Sequence, residues 1–570
     1  MRSSEFRSSR NTRILATTAL ALVLALPFGS MAIEASKLAA APIAAAPVAM
    51  APAAQAPVPV APSAVVPAVE QPAVATEAPA STPTATEPVG PVDPLASLEP
   101  ADRAVAEKLR DLLATKGDKL FANKKERAAV EAFYQNRNLA PLWLDKGVAN
   151  ARADAVIARM RAADAEGLEP ADYKAPNFAG GADALADAEL KLTHTVLTYA
   201  RHLQAGRFPY TRVSRNIELP QAAPEPADIL ISVANAADAG KALDAYSPQQ
   251  EPYRKLKAML AELRSKGGAA KGQIDTVVAN MERWRWYPRD LGNAHVLVNL
   301  PDFTLKVMHN GAQAWTTRIV IGKPSMPTPL LSETMKYITV NPTWHVPQSI
   351  VQNEYLPALA QDPTVLERMG LQVSYNGGQV QISQPPGEGN ALGRLRFNFP
   401  NRFSVYHHDT PDKHYFAEEF RAYSHGCMRV QDPAKYAEVL LNIARPREHW
   451  TAERIKSMFG RAEQDLQLQP VPIWVHLTYQ TAFADNAGKL QTRRDVYGLD
   501  SRTLAAIKNE RGTIEPTVER KREPEVASGT GANRAARPAR TATQSMVYDT
   551  LNPPAGYAVT RPLSLQPIYR

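Results

Sequence analysis

The spacing of apolar and polar positions divides the chain into two kinds of structure. Residues 98 to about 265 read as helical, because 101–113, 154–165 and 191–203 place apolar residues near helical spacing. Short punctuators separate these runs: Gly117, Gly167-Leu168-Glu169-Pro170 and Gly180-Gly181. From Gly292 the pattern turns to short β-branched or alternating runs at 295–298, 303–307, 318–321, 337–340, 395–399 and 403–407. Asn310-Gly311, Gly322-Lys323-Pro324 and Asn376-Gly377-Gly378 lie between them, which is strand-and-turn patterning. A helix is then expected with Asp432 as N-cap and Pro433 at N1, its apolar face built on Tyr436, Val439, Leu440 and Ile443. A last strand is expected over 471–479. The pattern predicts an α+β protein: a helical N-terminal scaffold domain over 98–290, then a β-rich domain over 291–510.

Both ends depart from this. Residues 1–13 carry four arginines against Glu5, an apolar run follows at 14–28, and small residues stand at Ser30 and Ala32. That order over 1–35 is the layout of a secretory signal, with an uncleaved N-terminal anchor as the alternative. Either reading exports the rest of the chain, to the periplasm, and membrane contact is expected only through an uncleaved N-terminus. Residues 36–97 are mostly Ala, Pro and Val, a composition that withholds helix and ladder donors and reads as a disordered linker. After about 510 periodicity is lost. Residues 511–570 hold nine Lys/Arg against five acids and read as a basic, disordered tail. The net charge of +8 therefore sits largely at the ends. A near-neutral folded middle argues against a nucleic-acid partner.

The candidate chemistry centres on Cys427, the only cysteine of the chain. An exported protein with one cysteine makes no internal disulfide, and a lone thiol risks oxidation there. The surrounding segment is SVYHHDTPDKHYFAEEFRAYSHGCMRV, residues 404–430. A thiol needs a base or a positive field to become thiolate, and His408 or His425 can supply either. Gly426 allows close backbone approach. The N–H groups of Gly426 and Cys427 suit an oxyanion hole, an effect of roughly 3–4 kcal/mol. Arg429 suits a substrate carboxylate. Two other readings stay open on these residues alone: a zinc site drawn from His407, His408, His414, His425 and Cys427, and an inert cysteine in a turn.

Ser424-His425-Gly426-Cys427-Met428-Arg429-Val430, with His408-Asp409-Thr410-Pro411 upstream, resembles the active-site signature of the L,D-transpeptidase (YkuD-type) family. The likeness is to its large, scaffold-bearing, YcbB-like group. It continues through Asn280-Met281-Glu282-Arg283-Trp284-Arg285-Trp286, Asn341-Pro342-Thr343-Trp344 and Gly389-Asn390-Ala391-Leu392-Gly393, and loosely through the helical half. The resemblance implies a YkuD-like catalytic domain with a capping insertion over 347–389. It implies Cys427 as acylated nucleophile, His408 as proton donor and acceptor, and Gly426 and Cys427 as the oxyanion hole. Ser424, His425 and Arg429 fill supporting places, His425 a structural one. Tyr406 and Trp344 line the substrate cleft. The implied substrates are peptidoglycan stem peptides. The acceptor is an amine of a second stem, an amine-bearing wall-anchored protein, or water, the last making an L,D-carboxypeptidase. No metal or organic cofactor is expected. A cysteine endopeptidase or a non-catalytic wall-binding protein are the alternatives from other classes. Relatives commonly insert a peptidoglycan-binding module before residue 280, and 256–272 leaves no room for one.

Overall fold

The computed structural model describes residues 95–485 and 487–510. The expected signal or anchor, nearly all of the Ala/Pro-rich linker and the basic tail lie outside the described residues. Among the described residues no helix is long and apolar enough to cross a membrane.

Helices Pro100–Leu120, Lys124–Asn136, Ala151–Arg161, Ala182–Ala205 and Pro226–Asn235 enclose one apolar core. Leu109, Val130, Tyr134, Trp143 and Leu197 are among its buried members. The starts follow from local chemistry. Asn123 and Asn150 each accept a backbone N–H three residues on, satisfying donors that the first helical turn leaves unpaired. Glu189 lies fully buried inside this core, receiving the Leu142 N–H at 2.5 Å and the Tyr134 hydroxyl at 2.8 Å.

Two further helices, Glu251–Ser265 and Lys271–Trp284, are separated only by the short turn Gly267–Ala270. Their buried residues Leu256, Leu260, Val277, Met281 and Trp284 belong to the apolar cluster of the sheet. That cluster begins at Phe208, earlier than the division at 290 read from periodicity. An amphipathic stripe reveals a buried face without revealing what covers it.

The sheet runs in the order Gln464–Gln467, Tyr337–Val340, Leu395–Asn398, His407–His408, Met428–Val430, Ala312–Gly322, Thr304–His309, Ala294–Asn299, Ile473–Thr478, Leu330–Met335 and Ile217–Glu218. The last of these comes from the helical half and adds in parallel beside Leu330 and Leu331. Helix Pro433–Ala444 buries Tyr436, Ala437, Leu440 and Leu441 against the sheet. Pro433 stands at its N-terminus, although Asp432 makes no capping bond. The strand expected over 403–407 is reduced to His407–His408. Asn401 Oδ1 accepts the N–H groups of Phe403 and Val405, and Ser404 adopts φ +54°, so the chain turns instead of extending.

Buried charge ties the helix Lys271–Trp284 and the residues just after it to the helices before it. The Glu282 carboxylate, fully buried, accepts the Arg207 backbone N–H at 2.6 Å and pairs with Arg285 at 2.8 Å. Arg285 also donates to the Glu166 carbonyl at 2.5 Å and the Tyr253 hydroxyl at 2.9 Å.

Between the paired strands Tyr337–Val340 and Leu395–Asn398 the chain makes an excursion. Helical turns span Gln348–Ile350, Val351–Tyr355 and Leu356–Gln361, then Val365–Arg368. The hairpin Gln372–Asn376/Gln379–Gln384 follows, and its second strand pairs with Trp344–His345. The excursion has its own small core, including Val346, Ile350, Val351, Tyr355, Leu366 and Ile382.

Candidate active site

Two short parallel strands set the site. His407 stands opposite Met428, and His408 opposite Arg429. Side chains alternate along a strand, so His408 and Arg429 share one face while His407 and Met428 share the other, and Tyr406 and Cys427 each stand one residue before their strand. The second face is core: both residues are fully buried, and His407 Nδ1 lies 3.1 Å from the Tyr436 hydroxyl. The Tyr406 and His408 rings meet edge-on at 5.7 Å. The backbone and the phenol of Tyr406 both hydrogen-bond to Cys427, and the Trp344 side chain bonds to Tyr406.

The charges of the site are governed by burial. Desolvation pushes His408 down to about 3, with the nearby Arg429 guanidinium adding in the same direction. Its Nδ1 lies 2.5 Å from the carbonyl oxygen of Asp409. A carbonyl only accepts, so Nδ1 carries the proton and Nε2 is left as a base. Desolvation raises the half-buried Cys427 thiol to about 11, opposed by the two hydrogen bonds from Tyr406 and the charges of Arg396 and Arg429. The resting pair is therefore a neutral thiol and a neutral imidazole. The Asp409 carboxylate holds the following loop by accepting the N–H groups of Arg394 and Thr410 and by pairing with Lys413. Arg429 pairs with Asp412 at 2.9 Å and lies over the Tyr415 ring.

The turn before Cys427 needs glycine. Gly426 has φ +116°, a conformation that side chains rarely adopt. The Thr328 hydroxyl donates to the Gly426 carbonyl at 2.8 Å. In a trans peptide the C=O and the next N–H point oppositely, so this bond aims the Cys427 N–H away from Thr328. Gly322 approaches the same turn so closely that a Cβ there would lie 3.0 Å from Gly426 Cα. Ser424 is buried, and its carbonyl accepts the Lys323 N–H at 2.7 Å. His425 Nε2 lies 2.8 Å from Glu354 Oε1 and 3.1 Å from Lys323 Nζ.

The arrangement brings Cys427, His408, Tyr406, Arg429 and Trp344 together and engages His425 elsewhere. It does not assemble the zinc alternative: His407 points into the core, and His414 is exposed and packs on Tyr415 at 4.1 Å. Among the described residues no group of three His, Cys, Asp or Glu side chains is placed to hold a metal. Sequence reasoning missed Glu354, Thr328 and Arg396 as neighbours of the site. Arg396 stands opposite His408 and over the Tyr406 ring. Glu354 and Thr328 lie 71 and 98 residues from their partners, beyond any local spacing.

Residues 293–454 match the model of the L,D-transpeptidase catalytic domain, and residues 128–260 match that of the Scaffold domain. A Haemophilus influenzae protein provisionally assigned as an L,D-transpeptidase is 28% identical over 242 residues, 39% of this chain and 47% of that protein. The chain thus spans about half the length of this curated relative. Two solved structures are also similar. The Ldtfm-avibactam carbamoyl enzyme is 16% identical, with a TM-score of 0.17, over 34% of this chain and 52% of its own. A Cys-to-Ser variant of an Enterococcus faecium L,D-transpeptidase is 15% identical, with a TM-score of 0.15, over 33% and 51%. The chain accordingly carries a scaffold domain followed by an L,D-transpeptidase catalytic domain of the YkuD type.

Proposed function

We propose that the protein is an exported peptidoglycan L,D-transpeptidase working by two-step acyl transfer at Cys427. The observation that carries this reading is Cys427 standing directly before strand Met428–Val430, which pairs in parallel with His407–His408, with the basic nitrogen of His408 unengaged by the Asp409 carbonyl. In the first step Cys427 gives its proton to His408 and its sulfur attacks the carbonyl of the third residue, a diamino acid, of a stem tetrapeptide. The C–N bond to the terminal D-Ala breaks, and His408 returns the proton to the departing amine. In the second step an acceptor amine attacks the thioester, loses a proton to His408 and expels the thiol. A stem acceptor yields a 3–3 cross-link, and a protein amine yields a wall-anchored protein.

The resting thiol and imidazole are both uncharged, so the ion pair has to form when substrate arrives. The Cys427 N–H, aimed away from Thr328, and the Gly426 N–H would receive the oxyanion. Tyr406 and Trp344 would line the cleft, and Ser424 and His425 would hold the turn. Arg429, engaged with Asp412, would act on a substrate carboxylate by exchanging that partner. The signal or anchor, the linker and the tail would place the enzyme in the periplasm beside its polymer.

The test is mass spectrometry of products after the protein meets purified disaccharide tetrapeptide, with Cys427→Ala alongside. A dimer lacking one D-Ala, absent with the variant, supports transpeptidation at Cys427. Tripeptide without dimer makes water the acceptor, and unchanged tetrapeptide refutes the reading.

A further inference from the structure

Two separate parts of the chain converge on His425, two residues before the thiol. Glu354 sits in the π-helical turn Val351–Tyr355 of the excursion, a backbone form often found at functional positions. Its Oε1 lies 2.8 Å from His425 Nε2. Lys323 follows strand Ala312–Gly322, and its Nζ is 3.1 Å from the same nitrogen and 3.9 Å from the same carboxylate oxygen. The hydrogen bond from His425, then the charges of His425 and Lys323, hold the Glu354 carboxyl below its ordinary range, so it is ionised near neutral pH.

One ring nitrogen cannot donate to Glu354 and accept from Lys323 at once. With a proton on Nε2 the imidazole donates to Glu354, and Lys323 reinforces the carboxylate. With Nε2 bare it takes the Lys323 N–H, and Glu354 loses the imidazole and keeps only the longer pairing with Lys323. The contact therefore has two discrete arrangements. All three side chains are about a third exposed, so neither arrangement is locked by burial.

A second line of contact runs from the neighbouring residue. Tyr355 meets Trp344 edge-on at 6.4 Å, Trp344 bonds to Tyr406, and Tyr406 bonds to Cys427. The Val351–Tyr355 turn is thus linked through Trp344 and Tyr406 to the thiol. The excursion has only a small core of its own, so its attachments decide where it sits.

We infer that Glu354 is a positioning residue that latches the excursion over residues 347–389 onto the Cys427 turn, acting through His425 with Lys323. The latched form excludes water from the cleft. The released form admits substrate, and also admits water to the thioester, which then yields free acid and thiol. The kinetic side of this inference rests on the acyl-transfer reading, and the latch itself does not.

Cys427 is the only cysteine, so maleimide labelling reports on its cleft without interference. The full chain would be compared as wild type, Glu354→Gln, Glu354→Ala, Glu354→Lys, and Glu354→Lys combined with Lys323→Glu. Expected is labelling about fivefold faster in Glu354→Ala at every pH, with an unshifted midpoint and an unchanged unfolding temperature. Glu354→Gln should fall between that variant and wild type. Hydrogen exchange should rise over 347–389, and the ratio of tripeptide to dimer should rise with it. Glu354→Lys should label fast, and the reciprocal pair should return toward wild type. Unchanged labelling and exchange in Glu354→Ala would overturn the latch. So would a shifted pH midpoint with an unchanged limiting rate, which would make Glu354 a modulator of thiol acidity. If wild type turns over no peptide, the acyl-transfer reading falls, while labelling and exchange still decide the latch.

Discussion

His408 donates its Nδ1–H to the backbone carbonyl of Asp409, 2.5 Å away, and the bond fixes both the ring and its tautomer. The Asp409 side chain is in turn tied to Arg394, Thr410 and Lys413, so this support is not free to swing. An asparagine at 408 can place its amide N–H where Nδ1 now sits, yet offers no base at Nε2. We expect His408→Asn to cut turnover about 10²–10⁴-fold while the unfolding temperature changes little. Steady-state kinetics beside a thermal melt makes the check. Retained turnover would move the base to another residue, with His425 the first to examine.

The thiol supplies a second expectation. Burial raises Cys427 to about 11, above the roughly 8.5 of an ordinary cysteine. A raised pKa means less thiolate at any pH below it, by about tenfold for each unit. The isolated protein should therefore react with iodoacetamide more slowly than a small-molecule thiol at pH 7.5. Its rate should climb past pH 10 instead of levelling near 8.5. Tyr406→Phe removes the phenol that opposes the rise, so its midpoint should move higher still. A wild-type midpoint at or below 8.5 would show a preformed thiolate and an altered first step.

Much of this site was legible in the sequence because it is local. Residues 424–430 form one turn and strand, and His408 follows from a second short run. Parallel pairing of His407–His408 with Met428–Val430 then sets Cys427, the residue before that strand, close to them. What could not be read is whatever depends on pairing across long separations. Glu354 reaches His425 from a separate small core, and Ile217–Glu218 leaves the helical half to extend the sheet. Neither has a signature in its own neighbourhood. The strand expected over 403–407 failed for another reason: the alternation was present, but Asn401 offered the backbone a competing set of hydrogen bonds.

The packing of helix Lys271–Trp284 and the residues just after it against the earlier helices depends on charges that have no water. Glu282 and Arg285 are both essentially inaccessible, and Arg285 also holds the Glu166 carbonyl and the Tyr253 hydroxyl. Removing the cation would leave Glu282 buried with only the Arg207 contacts to balance it. We expect Arg285→Ala to lower stability by about 3–5 kcal/mol, the range typical when one partner of a buried pair is deleted. Arg285→Lys should recover part of that loss, since it restores charge without the planar fork. Chemical denaturation of the three proteins measures both. A loss below about 1 kcal/mol for Arg285→Ala would mean that water enters the junction and solvates Glu282.

Acid should weaken the fold well above the usual carboxylate range, because several histidines are buried neutral. Desolvation lowers His407 and His408 to about 3 and His476 to about 4, and pushes His202 well below its ordinary value. In the unfolded chain each takes a proton near pH 6.5. Between that value and the folded one, the unfolded state binds more protons, so stability falls as pH falls. Glu189 has the opposite sign. Burial raises it to about 7, so from about 4.5 to 7 the folded state holds the extra proton, and stability from this group is lost as pH rises. Four histidines against one carboxyl leave a net uptake of about three protons on unfolding near pH 5.5, and His295, also lowered by burial, adds to it. Denaturation midpoints measured from pH 7.5 to 5 should decline with that slope. A His407→Gln protein should decline about one proton less steeply, because His407 lies on the core face and takes no part in the chemistry. A flat profile from pH 7.5 to 5 would mean that these imidazoles are solvated or paired in the folded protein.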